Sequence, residues 1–116
     1  MDKFDFDEFR QVMACNLHKK SDPCIEIWFN VDACTKYQES WMGKDIDKDT
    51  GKDVYWFGLL PDMSQSYAYE TFEAFANAKV FYSEKSLKEI WDSISIISLD
   101  GGHVEETLPY FLNIAG

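Results

Sequence analysis

The sequence predicts an α+β domain. Its architecture is an antiparallel sheet of about four strands, a β-meander plus a late strand, with helices packed mainly on one face in the order α-β-β-β-α-α-β-α. Three observations predict it. A capped stretch with helical periodicity opens the chain, apolar residues alternate over 24–31, and a turn signature at Asp47–Gly51 joins two strand-like arms. The 116 residues fit one domain spanning 1–116, long enough to bury a core without disulfide support.

The first helix has a clear start. Asp5 is placed to N-cap it, with Glu8 at the third helical position completing a capping box. Phe4 and Phe9 have the spacing of a hydrophobic staple. Phe9, Val12, Met13 and Leu17 recur as one helical stripe. His18, Lys19 and Lys20 then bring positive charge to the C-terminal end, where the helix dipole favours it, and Ser21-Asp22-Pro23 ends the helix.

Cys24 to Val31 reads as a strand with two unlike faces. Ile25, Ile27, Phe29 and Val31 form the core face, and Cys24, Glu26, Trp28 and Asn30 the other. Trp28 therefore points where water or a partner can reach it. Asp32 to Lys36 connects to the hairpin, whose arms are Tyr37 to Lys44 and Asp53 to Leu60. Pro61 to Ser66 is expected as a loop. Thr71 caps a short helix with Phe72, Phe75 and Ala76 on its apolar side. Ser86 and Glu89 form a capping box for another helix that buries Leu87, Ile90, Trp91 and Ile94. Ile94 to Leu99 is a strand, Asp100-Gly101-Gly102 a turn, and His103 to Ile114 helical in pattern. Pro109 is expected at the first position of a final short helix.

The stretch Asp45-Ile46-Asp47-Lys48-Asp49-Thr50-Gly51-Lys52-Asp53 admits two chemistries. Alternating Asp45, Asp47 and Asp49 match the first ligands of a calcium loop. The glycine comes one residue late, however, and Trp56 stands where a bidentate Glu is required. The hairpin reading accounts for more residues: a type I turn followed by Gly51 in the left-handed conformation, with Lys44, Lys48 and Lys52 neutralising the tip. That turn places Trp41 near Leu59 and Trp56 near Lys44; a register shifted by several residues pairs Trp41 with Trp56 instead. Either way the arms carry more aromatic surface than one core face absorbs.

Charge and composition exclude several classes. With 11 basic and 21 acidic residues the formal net charge is −10, so binding to nucleic-acid phosphates is not expected. Residues 53–78 and 89–116 contain no Lys or Arg, which concentrates acid on part of the surface. No apolar run approaches the roughly 18 residues of a membrane helix, and the acidic start Met1-Asp2-Lys3 lacks a signal-peptide core. A cytoplasmic location is expected. Cys15, Cys24 and Cys34 show no metal-site spacing and read as thiols of a reducing compartment. Neither a metal nor a cofactor is expected.

Catalysis has little to work with. The imidazoles are His18 and His103, the single arginine is Arg10, and no nucleophile–base pair stands out. Asp100 and His103, beside a strand end, are the residues around which a ligand pocket or small active site would form. The stronger expectation is a non-catalytic acidic binding module whose partner is a basic protein. An immunity-type inhibitor of a toxin or nuclease has this physics: charge speeds association and aromatic anchors slow release. Trp28, Trp41, Tyr55, Trp56, Asp53 and Glu39 are the expected partner-binding residues.

Overall fold

A computed structural model describes residues 5–17, 24–60 and 64–115, with side chains to residue 112. Five strands form one antiparallel sheet in the spatial order β4-β3-β2-β1-β5. They are β1 (Ile25–Val31), β2 (Ser40–Ile46), β3 (Asp53–Leu59), β4 (Gln65–Tyr69) and β5 (Ile94–Leu99). The helices are α1 (Phe6–Met13), α2 (Phe72–Asn77) and α3 (Val104–Ala115). The α+β class and the helix-on-one-face arrangement hold, and the sheet gains a fifth strand. That strand, β4, lies in a polar stretch beginning where a loop is expected. Gln-Ser-Tyr-Ala-Tyr lacks the contrast between faces that marks a half-buried strand, and it is recruited by pairing with β3, Trp56 to Ala68 and Phe57 to Tyr67.

Both ends of α1 are set by side chains. Glu8 N–H donates to Asp5 Oδ1 at 2.8 Å, and Asp5 N–H to Glu8 Oε1 at 3.1 Å, closing the capping box. The helix stops at Met13, although Leu17 is also buried. Phe4, His18, Lys19, Lys20 and the Ser21–Pro23 stop lie outside the described residues. Among the described residues, a cation at this helix end comes from β2. Lys44, 1% exposed, donates from Nζ to the carbonyls of Met13 (2.7 Å) and Cys15 (2.8 Å) and lies 3.2 Å from Asp53 Oδ2. A lysine at that point satisfies carbonyls that the helix itself leaves unpaired and complements its dipole.

The core lies between the helices and one sheet face. β1 supplies Ile25, Ile27, Phe29 and Val31, all fully buried as their alternation requires. Phe57 of β3 stacks on Phe75 of α2 with centroids 4.3 Å apart. Phe9 of α1 closes on Trp91 at 4.7 Å. Tyr55 sits among Phe72, Phe75 and the Lys44 ammonium. Arg10 lies over the rings of Phe6 and Phe72 and forms an ion pair with Glu73, tying α1 to α2.

Two local expectations change, and one strand gains a bulge. The Ser86–Glu89 capping box is present, and Leu87, Ile90, Trp91 and Ile94 are buried, but no α-helix follows. Ile90 N–H reaches Ser86 O for a single turn, then Ser93 N–H bonds to Ile90 O and the chain extends into β5. In β5, Trp28 faces Ser98 while Phe29 faces Ile96, so Ile97 is the extra residue of a bulge. The bulge lets Ile96 and Leu99, three apart, both reach the core. Pro109 is interior to α3 and does not begin it. Val104 and Phe111, buried on one side, are worth more to the fold than the one backbone hydrogen bond that Pro109 cannot make.

Candidate functional site

The two faces of the sheet differ in kind. Ile25, Ile27, Phe29, Met42, Tyr55 and Phe57 point to the helices. The alternate residues point away: Glu26, Trp28 and Asn30 from β1, Trp41, Gly43 and Asp45 from β2, and Val54, Trp56 and Gly58 from β3. Trp28, Trp41 and Trp56 belong to no part of the described core cluster. Each is half-buried, and all three lie on this face, which no described helix covers.

The hairpin register creates the patch. Trp41 lies opposite Gly58 and Gly43 opposite Trp56, one residue away from the pairing expected for a G1-bulge turn. The difference arises at the tip. The loop is four residues, Lys48–Gly51, closed by Asp47 N–H to Lys52 O and by Gly51 N–H to Asp47 O, both 2.8 Å. Gly51 takes the left-handed conformation expected of it, φ 71°. Asp47 Oδ1 accepts from Asp49 N–H at 2.8 Å and Thr50 N–H at 3.3 Å, so this carboxylate braces its own loop. Because a one-residue slip moves every side chain to the opposite face, this register is what puts Trp56 on the same face as Trp41.

Trp28 and Trp41 are direct cross-strand partners, stacked with centroids 5.7 Å apart and planes within 13°. Trp56 lies flat over Gly43. A Cβ added there would come within 2.7 Å of the indole and 2.0 Å of the Ile25 carbonyl oxygen, so only glycine fits. The Trp56 Nε1–H is shielded and has no hydrogen-bond acceptor, a consequence of an indole pressed onto the sheet.

Acid surrounds this patch. Glu26 and Asp45 are exposed on the same face. Glu39 is exposed at the entry to β2, where its N–H donates to Asn30 Oδ1 at 2.8 Å, and the Asp32 carboxylate accepts from Ser95 Oγ. No Lys or Arg occupies a strand position on this face. The tryptophans thus form an apolar centre bordered by acidic groups.

The six residues expected to bind a partner therefore divide. Trp28, Trp41 and Trp56 come together, with Glu39 at the rim. Tyr55 and Asp53 lie on the helix-covered side. The Tyr55 ring is 8% exposed, and its burial raises the phenol pKa above its usual value; Asp53 is engaged by Lys44. Alternation along β3 explains the split, since Trp56 and its neighbour Tyr55 must face opposite ways. Glu26 and Asp45 join the patch; the alternation of β1 and β2 carries that signal once the register is known.

Asp100 and His103 flank the turn before α3. Asp100 Oδ1 accepts from Glu26 N–H at 3.3 Å, and Asp100 N–H donates to Glu26 O at 2.7 Å. His103 is exposed, and its carbonyl accepts from Glu106 and Thr107 at the start of α3. An open cleft of about 670 Å³ lies elsewhere, between the end of α1, the hairpin base and the start of α2, lined by Cys15, Lys52, Asp53, Tyr55 and Phe72 among others. Cys15 is buried and Cys24 and Cys34 are half-buried; none of the three forms a disulfide. Among the described residues no cluster of His, Cys, Asp and Glu is arranged to hold a metal, and no helix is long and apolar enough to cross a membrane.

No protein-family model, no curated protein and no solved structure matches this chain.

Proposed function

We propose that this protein is a non-catalytic binding module that docks a basic protein through the sheet face that no described helix covers. One observation carries the reading: the Trp28–Trp41 stack stands outside the core, on a face whose strand positions hold acid and no base. Tryptophans at the centre of a patch are the side chains that most often anchor a protein complex. The overall charge of −10 adds long-range attraction for a cationic partner. Inhibition of a basic toxin or nuclease by an immunity-type protein is the biological role with these physical requirements, and a cytoplasmic location suits it.

The test compares the parent protein with a Trp28→Ser/Trp41→Ser variant, each immobilised and exposed to extract of the native host. The parent should retain a basic protein at low salt and release it as salt rises, while the folded variant retains little of it. Equal retention by the two proteins, or retention indifferent to salt, would overturn the proposal.

A further inference from the structure

We infer that the open cleft between the end of α1, the base of the hairpin and the start of α2 binds a small zwitterion, a free α-amino acid with an apolar or aromatic side chain. The cleft volume, about 670 Å³, lies within the range of small-molecule sites. Its wall combines aromatic surface from Tyr55 and Phe72 with a few polar groups, the usual form of such a site. It opens on the helix-covered side of the sheet, so it stands or falls apart from the docking of a basic protein on the tryptophan face.

Tyr55 points to a ligand. The side chain is 8% exposed and lines the cleft. Its ring is held by Phe72, Phe75 and the Lys44 ammonium, yet among the described residues no group hydrogen-bonds to its hydroxyl. Burial raises the phenol pKa first, and the Asp53 and Cys15 charges add to the rise. Both residues belong to the cleft wall, which puts the hydroxyl at the cleft. The phenol therefore stays protonated at neutral pH as a donor, and a carboxylate is the acceptor that holds such a donor most strongly.

Charge narrows the ligand further. Lys44 is matched by Asp53 at 3.2 Å, and Arg10 by Glu73. Lys52 at the hairpin base and Glu70 before α2 are exposed wall residues of opposite sign. Neither has an ion-pair partner among the described residues. One uncommitted charge of each sign complements a molecule with one carboxylate and one ammonium. The ligand carboxylate meets the Lys52 ammonium and the Tyr55 hydroxyl, its ammonium meets the Glu70 carboxylate, and its side chain rests on the Phe72 ring. A ligand with only one charge leaves Lys52 or Glu70 unmatched.

Amide chemical shifts of isotope-labelled protein, titrated with L-phenylalanine, test the inference. Saturable shifts are expected at the cleft, at Cys15, Asp53 and Thr71. Phenethylammonium, which lacks the carboxylate, and hydrocinnamate, which lacks the ammonium, should each bind about tenfold more weakly. Glu70→Gln should weaken L-phenylalanine and leave hydrocinnamate unchanged. Tyr55→Phe should keep the shift pattern of the fold and weaken L-phenylalanine about fivefold. Trp28→Ser/Trp41→Ser should bind the amino acid as the parent does. The absence of a saturable shift, shifts confined to the tryptophan face or lost with the tryptophans, or single-charge analogues that bind as tightly as L-phenylalanine would overturn the inference. So would binding undiminished by either Glu70→Gln or Tyr55→Phe.

Discussion

Trp28 and Trp41 face each other across β1 and β2, rings 5.7 Å apart and nearly parallel, on the side of the sheet away from every core residue. Their contact is local to the pair and to the surface. Cross-strand aromatic pairs contribute about 0.5–1.5 kcal/mol beyond their burial, far less than a core ring. A double-mutant cycle with Trp28→Ala and Trp41→Ala, read by denaturant unfolding, should return a coupling of about 1 kcal/mol. Phe75→Ala, which removes the ring stacked on Phe57, should cost about 3–5 kcal/mol in the same assay. Tryptophan truncations as costly as Phe75→Ala would place those rings in the core.

Lys44 is the buried counterpart of that exposed pair. Its ammonium has three oxygen partners, two of them carbonyls at the end of α1 and the third on Asp53. Lys44→Met keeps the side-chain volume and leaves those acceptors without their donor. The expected loss is about 3 kcal/mol. Asp53→Asn should cost about 1 kcal/mol or less, because that carboxylate is 43% exposed and the ion pair is screened. Chemical denaturation of the two variants checks the ranking; a Lys44→Met protein as stable as the parent would contradict it.

Gly43 is the point where the backbone of β1 and the indole of Trp56 meet. Gly43→Ala forces one of them to move, and overpacking of this kind costs about 1–3 kcal/mol. The substitution should also shift the Trp56 emission, since the indole must lift from the sheet. Fluorescence of a variant retaining Trp56 as its only tryptophan, with and without Gly43→Ala, reads that movement. An unchanged spectrum together with unchanged stability would mean that Trp56 does not cover Gly43.

Two sets of titrating groups give opposite pH limits. Arg10 holds the Glu73 carboxyl below the usual carboxylate range, and hydrogen bonds from Ser86 do the same for Glu89. Their stabilising contribution is present above the unfolded value of 4.5 and is lost as pH falls through the folded one. The stability difference between the parent and Glu73→Gln should therefore close in acid. Burial raises the phenols of Tyr37, Tyr55 and Tyr69. Their contribution is full below 10.0 and is lost as pH rises through the folded values. Melting curves of Tyr55→Phe should show less alkaline loss than the parent, and an acid-side effect in that variant would contradict the assignment.

Much of this fold is legible in the residues. The Asp5–Glu8 box, the Thr71 cap, the alternation from Ile25 to Val31 and the left-handed Gly51 each follow from local chemistry and recur in the structure. The placement of Trp28 on the outer face follows from the same alternation. What escapes the sequence is decided by distant partners. Lys44 reads as a surface charge because its carbonyl partners are 29 and 31 residues away. β4 is a strand because β3 offers it an edge, and Pro109 stays within α3 because Val104 and Phe111 bury together. The candidate site rested on a single residue of register, which turn length sets and composition does not. Once Trp41 is opposite Gly58, Trp56 joins the outer face and Tyr55 is committed to the core.

The most direct measurement is the kinetics of binding to the basic protein retained from the host, followed for the parent and for Trp41→Ala over a range of ionic strength. Association with the parent should slow steeply as salt rises if, as proposed, acid around the patch steers the encounter. Trp41→Ala should leave the association rate nearly unchanged and speed dissociation by tenfold or more, about 1.4 kcal/mol or above. An association rate that ignores salt, or a dissociation rate that ignores the loss of Trp41, would contradict the assignment of this face as the binding surface.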